Sequence, residues 1–163
     1  MNNLAIDYRD LGRHPEAMEL KEKTFEASQR TQGRQHPNTL LAMNNLAASY
    51  SDLGRHHEAM ELEEKTLEAR QRTLGSEHPN TLRTMSNLAF SYNDLGRHQE
   101  ALELGRKVFE ARNRILGSEH PHTFEAINLL EYCNNKLNNV WVLPIICSLN
   151  CRCTVYVLIK IFI

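Results

Sequence analysis

Eight histidines are the residues that most invite a chemical reading. Six of them keep a strict spacing. His14, His56 and His98 lie 42 residues apart, and so do His36, His78 and His120. Imidazoles can ligate a metal or move a proton, but this spacing argues against both roles. Equivalent positions in stacked helical units sit about 10 Å apart, the helix packing distance. A single zinc ion draws its nitrogen ligands to within about 2.0–2.1 Å. The recurring histidines are therefore expected to be turn and capping residues. The pair His56-His57 is adjacent in one unit alone. No Ser/His/Asp or Cys/His set shows positional logic, and the recurring glutamates alternate with Lys and Arg. The sequence reads as a non-enzyme, with no cofactor and no metal.

The four cysteines, Cys133, Cys147, Cys151 and Cys153, all fall near the C-terminus. Cys147-x3-Cys151-x-Cys153 is the nearest approach to a zinc motif, but such sites favour Cys-x2-Cys turns and four ligands. A fourth ligand here is Cys133 or a distant histidine, so free thiols are the expectation. The surrounding segment, Val140–Ile163, is strongly apolar and long enough for a membrane span of about 20 residues. Pro144, Asn150, Arg152 and Lys160 interrupt it, and a central arginine is costly in lipid. A tail anchor, a short segment folded over the last helix and a non-native read-through sequence all stay open.

The 42-residue interval governs the whole chain. Leu-Gly-Arg-His recurs at 11–14, 53–56 and 95–98, and aligning 36–77 on 78–119 gives 29 identities in 42 positions. Self-similarity of this kind marks a repeat architecture. Each unit divides into two helices. Leu40, Met43, Leu46, Ala47, Tyr50 and Leu53 have helical spacing, which predicts a first helix over about 38–53, started at Pro37-Asn38 and closed by Gly54. Ala59, Leu62, Leu67 and Ala69 predict a second over about 57–74, closed by Gly75, and the proline at 79 stops helix in the link. Glu19/Lys23, Glu61/Lys65, Glu103/Lys107, Glu68/Arg72 and Glu110/Arg114 are four apart in the favourable order and mark a solvated face. Short links make antiparallel hairpins, and one hairpin cannot bury its apolar stripe without neighbours. The expected fold is all-α: an α-solenoid of stacked antiparallel helix pairs. Its repeat domain spans 1–137, as a partial unit 1–35, units 36–77 and 78–119, and a degraded partial unit 120–137. The tail 138–163 lies outside the pattern. Because Met1 aligns inside a first helix, the chain is expected to be a fragment or an imperfect gene product.

Composition narrows the function. The chain has 163 residues, a net charge of -1, and 19 Lys and Arg against 20 Asp and Glu. The signs are interspersed along each helix, without the basic face of a nucleic-acid binder. No secretory signal is visible, so a reducing cytoplasmic setting is expected.

Asn45-Leu46-Ala47, Tyr50, Leu53-Gly54-Arg55, Glu58-Ala59, Leu67-Glu68, Leu74-Gly75 and His78-Pro79 resemble the tetratricopeptide repeat in its kinesin-light-chain form, whose unit is longer than the usual ~34 residues. The resemblance covers about 1–137. The same repeats are similar to those of fungal and bacterial nucleotide-binding sensors. The chain departs from the family at Glu63 and Gly105, where an aromatic is usual, and it carries neither a heptad region nor a phosphate-binding loop. The resemblance implies a tetratricopeptide-like superhelix with first helices lining the concave side, and a scaffold that binds a partner protein or extended peptide there. Two other readings stay open: the sensor or structural arm of a larger nucleotide-binding protein, and a tail-anchored membrane adaptor.

Differences between units indicate where a partner would sit. In the first helix, four of five differences fall at 41, 44, 48 and 51, one stripe of a helix. The stripe comprises Leu41, Asn44, Ala48 and Ser51, then Arg83, Ser86, Phe90 and Asn93, with Ile6 and Arg9 in the first unit. Asn2, Asn45, Asn87 and Asn128 lie at its edge. Amides can pair with an extended peptide backbone, Arg9 and Arg83 can hold an acidic side chain, and Phe90 can anchor an apolar one. The competing reading gives Asn45 and Asn87 to bonds between neighbouring helices. The second helix also varies on a stripe, at His57, Met60, Glu64, Leu67 and Gln71.

Overall fold

The computed structural model describes residues 14–138, as six helices: α1 (His14–Gln32), α2 (Pro37–Asp52), α3 (His56–Leu74), α4 (Pro79–Asp94), α5 (His98–Leu116) and α6 (Pro121–Asn138). The 42-residue offset holds to the residue for α2 and α4, and for α1, α3 and α5. Each helix packs on the next, and α4 also touches α6. This is the expected antiparallel stack.

The links explain why the helices begin and end where they do. His36, His78 and His120 stand just before α2, α4 and α6 and cap them. Each Nδ1 accepts the backbone N–H two residues on, at 3.2, 3.1 and 3.1 Å, with proline in the first helical turn of α2 and α4. A free N–H at a helix start needs such an acceptor. The capping role expected of these three histidines is thus the one they have. At the other end, Gly54 and Gly96 take positive φ of 73° and 75°. The N–H of Gly54 bonds Ser51 O and that of Arg55 bonds Tyr50 O, at 2.9 and 2.8 Å. Gly96 and Arg97 repeat both bonds on Asn93 O and Tyr92 O. This Schellman closure is what the recurring Leu-Gly-Arg encodes, and α3 and α5 begin directly after it.

The core is a ladder of recurring side chains. Leu40, Met43, Leu46 and Ala47 of α2 are buried, as are Leu82, Met85, Leu88 and Ala89 of α4. Ala59 and Ala101 are fully buried and let helices approach closely. The second helices differ from expectation. Their tightest face runs Ala59, Glu63, Thr66, Arg70, at i, i+4, i+7 and i+11, while Leu67 and Ala69 are half-buried on its flanks. Polar rungs tie one hairpin to the next. Tyr50 Oη donates to Glu22 and Tyr92 Oη to Glu64, both at 2.8 Å. The Arg55 and Arg97 guanidiniums lie over those tyrosine rings, 4.4 and 4.1 Å from the centroids, and reach back to the sulfurs of Met18 and Met60. Met60 and Glu64, on the variable stripe of α3, therefore serve stacking.

Four of the five expected charge pairs along the helices form. The fifth does not: Arg114 pairs with Glu77 of the preceding link instead of Glu110. No helix among the described residues is long and apolar enough to cross a membrane.

Candidate partner-binding face

The first helices α2, α4 and α6 share one open face. Leu41 and Phe90 are 38% and 45% exposed, and Ala48 and Arg83 are exposed beside them. Asn128 is exposed, whereas Asn45 and Asn87 are half-buried, as are Ser51 and Ser86; Ser86 Oγ donates to Leu82 O at 3.1 Å. Two expected members of the face are not open. Asn44 is 8% exposed, and its Oδ1 accepts from Asn87 Nδ2 at 3.5 Å across the two helices. Asn93 is 4% exposed, with Nδ2 donating to Cys133 Sγ at 3.1 Å and Oδ1 3.0 Å from His98 Nδ1. The open strip is thus turned by one residue from the variable stripe. It runs 41, 45, 48 on α2 and 83, 87, 90 on α4. Positions 44 and 93 vary because they tune packing between helices, which sequence difference alone does not separate from exposure. Asn2, Ile6 and Arg9 lie outside the described residues, as do Cys147, Cys151, Cys153 and the apolar tail.

The structure adds residues to this face that the variable stripe omitted. Tyr132 of α6 stands 5.5 Å from the Phe90 ring, centroid to centroid, with Lys136 Nζ 5.6 Å above it. Tyr132 continues the column Ala48, Phe90 at the same 42-residue offset, so extending the alignment through the degraded unit finds it. The pair makes an aromatic ledge across two helices.

Beneath Arg83 lies Arg70, a cation 3% exposed. Its Nη1 donates to Asn80 O and Thr84 Oγ1, at 2.9 and 2.5 Å, and its Nη2 to Leu40 O at 3.4 Å. It thereby staples α2, α3 and α4 together. Burial, and then the charge of Arg83, push its pKa down to about 10. The next unit makes a different choice. Arg112, the equivalent of Arg70, donates from Nη1 to His122 O at 2.8 Å and to Glu125 Oε2 at 3.2 Å. Glu125 stands at the position of Arg83. Its carboxyl is held below the usual range by the bond with His122, then by Arg112. One unit neutralises its staple with a carboxylate, whereas the other sets a second cation beside it. Arg83 forms no ion pair among the described residues.

Histidine, cysteine and carboxylate side chains do not gather in threes able to hold a metal ion, among the described residues. Cys133 is a free, fully buried thiol, raised in pKa chiefly by burial.

Comparison with known proteins follows the same lines. Tetratricopeptide-repeat profiles match residues 1–72 and 81–122. The kinesin light chain nearly identical TPR-like repeats of Podosopora anserina superpose with a TM-score of 0.79 at 33% identity, over 83% of this chain and 64% of that one. A point variant of those repeats gives the same values. BtubC (BKLC) from P. vanneervenii shares the fold, with a TM-score of 0.66 at 18% identity over 86% of this chain and 64% of that one. The chain thus spans under two thirds of the length of these relatives. No curated sequence matches it.

Proposed function

Because the chain belongs to the tetratricopeptide-repeat proteins, whose fold serves as a protein-interaction scaffold, we propose that its α2–α4–α6 face holds an extended peptide carrying an acidic side chain and an apolar one. The observation that carries this reading is the Arg70–Arg83 pair. In the following unit a carboxylate sits on the equivalent arginine, and in this unit its place is left to a partner. An incoming carboxylate there would meet Arg83 at the surface and relieve the unpaired charge beneath it. The neighbouring ledge of Phe90 and Tyr132 offers apolar anchorage, as exposed aromatics do in peptide-binding faces. Asn45 and Asn87, half-buried between the two, can pair with peptide backbone.

Selection of a random peptide library on the purified chain tests the reading. Enriched peptides are expected to combine Asp or Glu with an aromatic or large aliphatic residue. Arg83→Glu is expected to weaken them about 10- to 100-fold, the effect of reversing a charge at a partly buried contact. Phe90→Ala is expected to weaken them about tenfold, as loss of an aromatic anchor does. Enrichment without acidic residues, or equal binding by both variants, overturns the assignment.

A further inference from the structure

The departure from the family pattern at position 63 has a structural counterpart. Glu63 is 3% exposed in the seam between α3 and α4, and Ser91 Oγ donates to its Oε2 at 2.6 Å. No cation pairs with it among the described residues. Asp94 of α4 is the ionised group that acts on it, and from α2, the other helix packed on α3, no charged side chain does. A carboxylate in that setting is costly, and the neutral acid is the form the seam accommodates. Seven residues earlier on the same face, His56 Nδ1 lies 3.4 Å from Asp94 Oδ2. That nitrogen is shut off from solvent and has no hydrogen-bond partner. The rung from Glu63 to Ser91 thus joins α3 to α4 and is better made with a proton on Glu63.

The equivalent seams carry no acid at the position of Glu63. Between α1 and α2, Lys21 Nζ donates to Ser49 Oγ at 2.5 Å. Between α5 and α6, Gly105 stands where Glu63 does and Cys133 where Ser91 does. His98 turns to Asn93, and Lys136 takes the place of Asp94.

We propose that the α3–α4 seam is a proton-operated joint: with Glu63 protonated it ties the two middle hairpins together, and on deprotonation of Glu63 it loosens. The joint acts whatever the open face binds. Burial, opposed by Ser91 and reinforced by Asp94, raises the Glu63 pKa from 4.5 to about 7. A folded value above the unfolded one means stability that is complete below about pH 4.5 and lost as pH rises through about 7.

Urea unfolding of the full chain and of Glu63→Gln, at pH 5 and pH 8, tests the joint. Glutamine keeps the shape and the bond to Ser91 without the ionisation. Relative to the variant, the wild-type folded-to-unfolded ratio is expected to fall on the order of 50-fold between the two pH values. Effects common to both chains, such as those of the capping histidines, cancel in the difference. Parallel pH profiles overturn the proposal. Should Glu63→Gln fail to fold, the side-chain carboxyl of Glu63 is followed by carbon NMR in the wild type. A midpoint near 7 supports the joint and one near 4.5 removes it.

Discussion

The α3–α4 pair and the α5–α6 pair share a backbone and differ in nearly every buried polar choice. Around α3 and α4 the seam holds Glu63 against Ser91, with Arg70 beneath Arg83. Around α5 and α6 the same places hold Gly105, Cys133, and Arg112 bonded to Glu125. The histidine caps are common to both, and the Schellman closure that ends α2 recurs at the end of α4. The framework of each unit is therefore set by its links and small residues, and charge can be exchanged within it. The α3–α4 pair carries uncompensated charge on the open face and a costly ionisation in the seam. The α5–α6 pair resolves both internally, which is why the proposed binding contact and joint are placed at the former.

Ala89 and Glu131 give the sharpest way to break this comparison. They are equivalent positions, yet Ala89 is fully buried while Glu131 is exposed. Ala89→Glu places a carboxylate in a close-packed contact with no partner. It is expected to lose about 4 kcal/mol or more and to abolish cooperative thermal unfolding of the middle units. Glu131→Ala in the last unit is expected to change the melting temperature by no more than about 1 °C. If the two substitutions behaved alike, α4 and α6 would be closing the stack in the same way, contrary to their burial.

Breaking the caps has a smaller effect. His78→Ala removes the acceptor for Asn80 N–H and is expected to destabilise the chain by about 1 kcal/mol in urea unfolding, whereas His78→Asp keeps an acceptor at the N-cap and is expected to be neutral or better. Equal losses from both would mean that the histidine serves packing instead of capping.

These outcomes bear on how much the sequence discloses. The period, the helix positions to within a residue, and the capping histidines were legible because links impose residue types that tolerate little change: proline after the cap, glycine at positive φ. The open face was only partly legible. Leu41, Ala48, Arg83 and Phe90, which are exposed, were expected there because units differ at those positions. Asn44 and Asn93 were misplaced because contacts between helices also differ from unit to unit. Arg70 and the burial of Glu63 escaped notice because a buried charge looks, in sequence, like one more solvated residue on a charged helix. The spacing 59, 63, 66, 70, and its echo at 101, 105, 108 and 112, was the available signal.

Gly105 supplies the finest test, because the same position is Glu63 one unit earlier. It lies in the middle of α5 at ordinary helical φ, and a Cβ there would meet Leu130 Cδ2 at 3.5 Å and Leu129 Cγ at 3.7 Å, normal contact distances. Glycine inside a helix costs about 1 kcal/mol relative to alanine. Gly105→Ala is therefore expected to stabilise the chain around α5 and α6 by roughly 0.5–1 kcal/mol, read as a rise of a few degrees in melting temperature. Glu63→Ala is expected to show no such simple gain, because it opens space around Ser91 while removing the buried acid. Its benefit should appear at pH 8 and fade at pH 5, as the acid it replaces becomes neutral. A gain at position 105 that also changed with pH would mean that α5–α6 carries a titrating group of its own, and the contrast between the two seams would fall.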